Sequence, residues 1–269
     1  MDNKLLKRTL AELEYFIFDL DGTIYLGDRL LPGVKEFLQF LKEQGKKFLF
    51  LTNNSSKSIN EYVEKLKGLG VDIEPANILI SSQVTADYIK SLNNGKRIFL
   101  LGTKGFRKEL EKRNLKMVET DPDYVVLGFD TGVTYEKLMK ACLFIHRGVK
   151  FIASHPDKIC PSEIGPLIDC GSLSAAITAA TGVKPKVLGK PYKETVEAAL
   201  KRLGGKAGNT AIVGDRLYTD IKMGKDFGLT TILVLTGETG EETLKESNFK
   251  PDFVFYSLAD LKQCFLKKH

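Results

Sequence analysis

Four polar clusters, each directly behind or beside a short apolar run, are the places where this chain of 269 residues could do chemistry. The sharpest is Asp19-Leu20-Asp21-Gly22-Thr23, at the end of the strand-like run Tyr15 to Leu20. Two carboxylates two residues apart project from the same face of an extended chain. At a spacing of about 4 Å they repel by about 4 kcal/mol at an effective dielectric near 20, so the pair calls for a cation or a shared proton. Gly22 lets the chain turn away tightly. The plainer alternative is a capping Asp followed by a turn Asp, as in many Asp-Gly turns. The second cluster is Thr52-Asn53-Asn54-Ser55-Ser56, five small polar side chains in a row. Its hydroxyls, amides and the N–H groups of a following helix make either an anion site or a plain N-cap with its loop. The third is Lys190-Pro191, with Pro191 suited to a first helical turn and Lys190 either a ligand for an anion or a solvated charge. The fourth is Gly214-Asp215 with Asp220 five residues on, two acids at the start of a helix that could be metal ligands or partners of the helix dipole.

The elements that must position these clusters are legible as a pattern. Tyr15 to Leu20, Lys47 to Leu51, Thr210 to Val213, Thr230 to Leu235 and Phe253 to Tyr256 are short, predominantly apolar runs without polar alternation. Between them lie amphipathic stretches such as 33–44, 57–69 and 219–227. Buried strands without polar alternation, spaced by helices, predict a doubly wound α/β parallel sheet covered on both faces. Ligands of such sheets bind beyond the strands' carboxyl ends. Four strands that deliver an acid pair, a hydroxyl-amide run, a lysine and a second acid pair to one edge are hard to explain as four unrelated caps.

Spacing sets the domain organisation. Asp19 and Thr52 are 33 residues apart, filled by a flap (23–31), one helix and one strand. Thr52 and Lys190 are 138 apart, and one helix and one strand use only about 30 of those. The remainder has strand-like runs at 98–101, 124–127 and 151–153 and helical patterns at 83–91, 104–113, 134–147 and 172–181. The expected division is a discontinuous core, 1–82 with 183–269, and an inserted α/β domain, 83–182.

Composition narrows the function classes. A hydrophobic fraction of 43% with 28% charged residues excludes a disordered chain. No run of 18 apolar residues exists to span a membrane, and Glu12, Glu14 and Asp19 interrupt any targeting core, so a cytoplasmic protein is expected. Four cysteines without a CxxC pair, and only three histidines, read as reduced structural thiols rather than a zinc site. A net charge of +6 spread along the chain lacks the concentrated patch of a nucleic-acid binder and suits a small anionic ligand. No GxxxxGK[ST] or GxGxxG fingerprint occurs.

In order and spacing, DxDGT, Thr-Asn, Lys-Pro and GDxxxxD resemble the four motifs of the haloacid dehalogenase superfamily of phosphohydrolases. The stretches GDRLYTDIKMGKDFGLTTILVLTG, IASHPD and GSLSAAITAATG…VLGKP resemble its NagD-like, or 4-nitrophenylphosphatase-like, branch. Many members of that branch carry another acid where this chain has Tyr218. The resemblance implies a phosphatase for small phosphomonoesters, with Asp19 as nucleophile forming an aspartyl-phosphate and Asp21 as general acid and base. It implies Mg²⁺ on Asp19, the Asp21 carbonyl and Asp215, with Asp220 close by. Gly22, Thr52, Asn53, Asn54 and Lys190 are expected around the phosphoryl group. The inserted domain looks like a C2-type cap, which favours a small phosphorylated metabolite as partner. His155, in the Ser154 to Asp157 turn, is placed either beside a substrate's leaving group or in packing. Exposed cap surface is compatible with a homodimer. A catalytically silent phosphometabolite binder or a phosphotransferase are the alternatives; retention of both Asp19 and Asp21 speaks against a pure binder.

Overall fold

In a computed structural model of the chain, residues 10–162 and 164–266 are described. Their strands are β1 (Tyr15–Phe18), β2 (Tyr25–Leu26), β3 (Arg29–Leu30), β4 (Lys47–Thr52), β5 (Ile78–Ile80), β6 (Arg97–Leu101), β7 (Lys116–Met117), β8 (Tyr124–Leu127), β9 (Lys150–Ala153), β10 (Ile159–Cys160), β11 (Leu167–Ile168), β12 (Lys186–Val187), β13 (Thr210–Gly214), β14 (Thr230–Val234) and β15 (Phe253–Phe255). The main sheet has the order β15-β14-β13-β1-β4-β5. The pairings of β1 with β13 and β4, of β13 with β14 and of β14 with β15 are all parallel. This is the doubly wound α/β sheet that the predominantly apolar runs require. Its direction of winding reverses at β1, because the chain proceeds from β1 to β4 on one side and from β13 to β14 on the other. The carboxyl ends of β1 and β13 therefore flank a topological switch point, where open α/β sheets bind ligands.

The chain separates into two compact units: residues up to Leu51, Leu66–Ile78 and from Val196 onward form one, and Thr52–Lys65 with Leu79–Thr195 form the other. In the first, Phe16 and Phe18 of β1 meet Phe37 edge-on, and Phe265 of the helix Leu258–Leu266 packs on Phe37 and Phe40. Leu217, Ile221 and Leu233 form a separate buried cluster.

The second unit is built on a parallel sheet of order β12-β9-β8-β6-β7. Alternation along its strands fills two separate cores. Phe99, Leu101, Val125, Leu127, Phe151 and Ala153 pack with the helices Tyr135–His146 and Cys170–Thr181. Ile98, Tyr124, Val126 and Ile152 pack on the other face with the helices Ser81–Ser91 and Lys104–Glu111. A sheet buried on both faces explains why these strands read as continuous apolar runs. Winding reverses here between β6 and β8, giving the second unit a switch point of its own.

The stretch predicted as one helix over 219–227 is two elements. Leu217–Ile221 is a single π-helical turn, and Lys222–Phe227 continues it as an α-helix. Among the described residues no helix is long and apolar enough to cross a membrane. The four cysteines are free thiols, and burial pushes the Cys170 thiol up to about 12, which makes it inert.

Candidate active site

Asp19, Asp215 and Asp220 lie in the first unit with carboxylate oxygens within 4.8 Å of one another. The backbone continues the β1–β13 ladder one residue beyond the strand, where Asp19 N–H donates to the Val213 carbonyl at 2.9 Å. Asp215 is the first residue after β13, one position beyond the Gly214 that the β1–β13 register sets opposite Asp19. Asp220 reaches the same place by way of the π-turn: its Oδ2 accepts from the Arg216 N–H at 3.2 Å. A Cβ on Gly214 would overlap the Asp220 carboxylate, so the bare backbone of that glycine is what admits it. π-turns are rare and recur at functional sites.

Burial makes the cluster electrostatically expensive. Asp215 is 2% exposed and Asp220 0%. Burial, then the Asp19 charge, then the Asp220 charge hold the Asp215 carboxyl well above its ordinary 3.8. Its Oδ2 accepts from the Glu238 N–H at 2.6 Å, while its buried Oδ1 has no hydrogen-bond partner among the described residues. Three hard oxygen donors with one unsatisfied lone-pair site form a set that a small divalent cation such as Mg²⁺ fits.

The first strand ends earlier than its apolar run because the Leu20 carbonyl accepts from the Thr23, Ile24 and Tyr25 N–H groups and turns the chain. Gly22 makes that turn at φ +87°, and a side chain there would strike Asp215 Oδ2. Asp21 is half-buried, and the Tyr25 hydroxyl donates to its Oδ2 at 3.3 Å.

The loop after β14 escaped sequence reasoning as a site element. Thr236 Oγ1 donates to the Gly22 carbonyl at 2.6 Å, Glu238 supplies its N–H to Asp215, and a Cβ on Gly237 would collide with the Asp215 carboxylate. The available signal was Thr236-Gly237 behind an apolar strand, the same pattern as at the other strand ends. Tyr218 is exposed and donates to Glu238 Oε2 at 3.2 Å; Arg216 Nε meets the same oxygen at 2.9 Å.

Thr52, Asn53, Asn54 and Lys190 come together in the second unit. Thr52, Asn53 and Lys190 are all buried. The Lys190 N–H donates to Asn53 Oδ1 at 2.6 Å, and Asn53 Nδ2 donates to the Lys190 carbonyl at 3.1 Å and to Asp157 Oδ1 at 3.0 Å. Asn54 N–H donates to Thr52 Oγ1 at 3.1 Å, and Asn54 Oδ1 accepts from Ser56 N–H and Oγ at 2.9 and 2.6 Å. The rest of this loop fills the second unit's switch point: Phe129 N–H donates to Ser55 Oγ at 2.8 Å and Thr103 Oγ1 to the Ser56 carbonyl at 2.6 Å. Gly128 leaves room for the Ser55 hydroxyl. The crevice where a ligand would normally sit thus holds the chain's own loop.

His155 is fully buried in the same unit. Its Nδ1 is 3.8 Å from Asp157 Oδ2, and its Nε2 is 3.5 Å from Asp169 Oδ1 and 3.5 Å from Ser55 Oγ. Asp157 and Asp169, both buried, were not singled out by sequence reasoning, although Asp157 closes the quoted SHPD turn. Asp169 is the N-cap of the helix Cys170–Thr181.

Two family models match the chain: haloacid dehalogenase-like hydrolase over residues 16–116 and a further model of HAD-hydrolase-like proteins over 187–261. An acid sugar phosphatase of Staphylococcus aureus is 36% identical over 251 residues, which are 93% of this chain and 96% of that protein. The solved 4-nitrophenylphosphatase of Thermotoga maritima is 47% identical, with a TM-score of 0.93 over 96% of this chain and 99% of that one. NagD from E. coli K-12 is 31% identical, with a TM-score of 0.86 over 92% and 98% of the two chains.

Proposed function

Since the chain belongs to the haloacid dehalogenase-like hydrolases, and within them to the NagD-like phosphatases, we propose that it hydrolyses small phosphomonoesters through an aspartyl-phosphate on Asp19, with Mg²⁺ as cofactor. As a member of this family it is a phosphoric monoester hydrolase; the mechanism, the metal and the substrate class are the proposal. The observation that carries it is the buried triad Asp19, Asp215 and Asp220, with an unpartnered oxygen on Asp215. Left as anions without a cation, these groups would cost several kcal/mol each.

Asp19, the side chains of Asp215 and Asp220, and the main-chain carbonyl of Asp21 are the groups that would hold the ion. When bound, Mg²⁺ supplies positive charge that neutralises the phosphoryl oxygens. The Asp19 carboxylate attacks phosphorus in line with the leaving oxygen. Asp21, oriented by the Tyr25 hydroxyl, gives its proton to the departing alkoxide. It then takes a proton from the water that cleaves the acyl phosphate on Asp19, which restores both carboxyls. Gly22, directly after Asp21, leaves room beside the turn for the Asp215 carboxylate. By the resemblance of their motifs, the Thr52 hydroxyl, the Asn53 backbone and the Lys190 ammonium are assigned to the equatorial phosphoryl oxygens, whose charge spreads in the transition state. The inserted middle of the chain, 83–182 in the sequence-based division, is assigned the role of a cap that selects small substrates.

A panel of phosphorylated metabolites tests this reading, with inorganic phosphate release as the readout and 4-nitrophenyl phosphate as the generic substrate. The name of the S. aureus relative makes sugar phosphates its first arm. Mg²⁺-dependent turnover of at least one small monoester is expected; full activity in excess chelator would remove the metal from the mechanism.

A further inference from the structure

Lys190 can bind a phosphoryl group only if something fixes where its backbone lies, and the hydrogen bonds around Asn53 show what does. A primary amide has two N–H donors and one carbonyl. In Asn53 one donor function serves the Lys190 carbonyl, the other serves Asp157 Oδ1, and the carbonyl accepts the Lys190 N–H. The side chain is spent, so Asn53 is a strut and offers a phosphoryl group its main chain alone.

The outer end of that strut is Asp157. Its backbone is seated on the helix Cys170–Thr181, because Gly171 N–H donates to the Asp157 carbonyl at 2.7 Å. A Cβ on Gly171 would overlap the Pro156 carbonyl oxygen, so the small residue at this helix start serves close packing. At the inner end, Gly189 precedes Lys190 at φ +76°; a Cβ there would lie 2.7 Å from His155 Cβ and 2.8 Å from Asn53 Oδ1. Both ends are therefore closely packed backbone that only glycine fits.

We propose that Asp157 is a positioning residue: through the Asn53 amide it holds the Lys190 main chain, and so the ammonium, in register for phosphoryl binding. This rests on the reading of Lys190 as a phosphoryl ligand. A displacement of about 1 Å at a reacting group costs on the order of 100-fold in rate.

The test is a double-mutant cycle on the full chain with Mg²⁺ and 4-nitrophenyl phosphate, reading kcat and KM together with competitive inhibition by inorganic phosphate. Asp157→Leu is expected to lower kcat/KM by about 10- to 100-fold and to weaken phosphate inhibition. Asp157→Asn, whose carbonyl still accepts from Asn53, is expected to recover most of that loss. In a Lys190→Ala background Asp157→Leu is expected to cost nothing further. Should Asp157→Leu fail to fold, Asn53→Leu reports on the same strut, with the same expected loss and the same absence of further effect beside Lys190→Ala. Equal losses from the strut variants with and without Lys190, or an Asp157→Asn as impaired as Asp157→Leu, would overturn the proposal. A Lys190→Ala variant with wild-type kinetics would overturn it as well, and would remove Lys190 from the mechanism while leaving the phosphatase reading intact.

Discussion

At the scale of single residues the chemistry turns on carboxylates that differ in surroundings more than in kind. Asp19 and Asp215 are buried, whereas Asp21 keeps partial access to solvent beside the Tyr25 hydroxyl. That contrast suits a nucleophile, a metal ligand and a proton carrier respectively. Asp21→Asn should therefore slow alkyl phosphates far more than 4-nitrophenyl phosphate, whose leaving group departs without a proton. Equal losses in kcat/KM for the two would contradict the acid role. Asp215 makes a second prediction. Its carboxyl is raised by burial and by Asp19 and Asp220, so the folded, metal-free protein binds a proton more tightly than the unfolded chain does. The associated stability is fully present below the unfolded value near 4 and is lost as pH climbs through the raised one. Mg²⁺ competes with that proton. The rise in Tm on adding Mg²⁺ should be small at pH 5 and large at pH 8, and Asp215→Asn should abolish it at both. A pH-independent rise, or one that survives Asp215→Asn, would place the ion elsewhere.

At the scale of elements, strand ends and tight turns bring these groups together. The DxDGT turn, the Thr52 to Ser56 run and the GDxxxxD spacing were readable because their residue types interrupt apolar runs where a sheet edge must lie. The helices and the longer strands were readable for the same reason. The loop Thr236 to Glu238 was not, because it serves Asp215 through a main-chain N–H and a missing Cβ, neither of which has a residue-type signature. The two-residue strands β7, β10 and β11 are too short to show a period. The π-turn at Leu217–Ile221 hid inside an otherwise helical pattern. Buried Glu109 was hidden in the same way on an amphipathic helix. Its carboxylate accepts from the Ile59 N–H at 3.2 Å and from Gln83 Nε2 at 3.1 Å, and pairs with Lys112 at 2.8 Å. It caps the helix Ile59–Gly68 from outside. Glu109→Ala strands those donors at a cost of about 1–3 kcal/mol, which lowers Tm by several degrees, and Glu109→Gln should cost less. Calorimetry that finds no change for Glu109→Ala would show the network to be neutral.

At the scale of the whole molecule, two sheets of parallel strands, each with its own switch point, share one chain. In the first unit the switch point carries the acid cluster; in the second it is filled by Ser55 and Ser56. The second unit's sheet thus serves to bed the polar loop that follows β4. Spacing alone led to an expected division at 82/83 and 182/183, whereas the second compact unit also takes in Thr52–Lys65; which loops a sheet will hold depends on side-chain contacts far apart in sequence. The assignment of a cap to this middle region predicts strong discrimination by size: phosphopeptides and phosphorylated proteins should be hydrolysed at least about 100-fold less efficiently than small monoesters, as ratios of kcat/KM.

The central claim is that Asp19 is phosphorylated during turnover. Acid-quenching the enzyme in the middle of 4-nitrophenyl phosphate hydrolysis, followed by peptide mass spectrometry, tests it most directly. A phosphoryl mass increment on the peptide that contains Asp19, lost on mild base treatment and absent in Asp19→Asn, is the predicted result. Undiminished turnover by Asp19→Asn, or a trapped phosphoryl group on any other residue, would contradict the account.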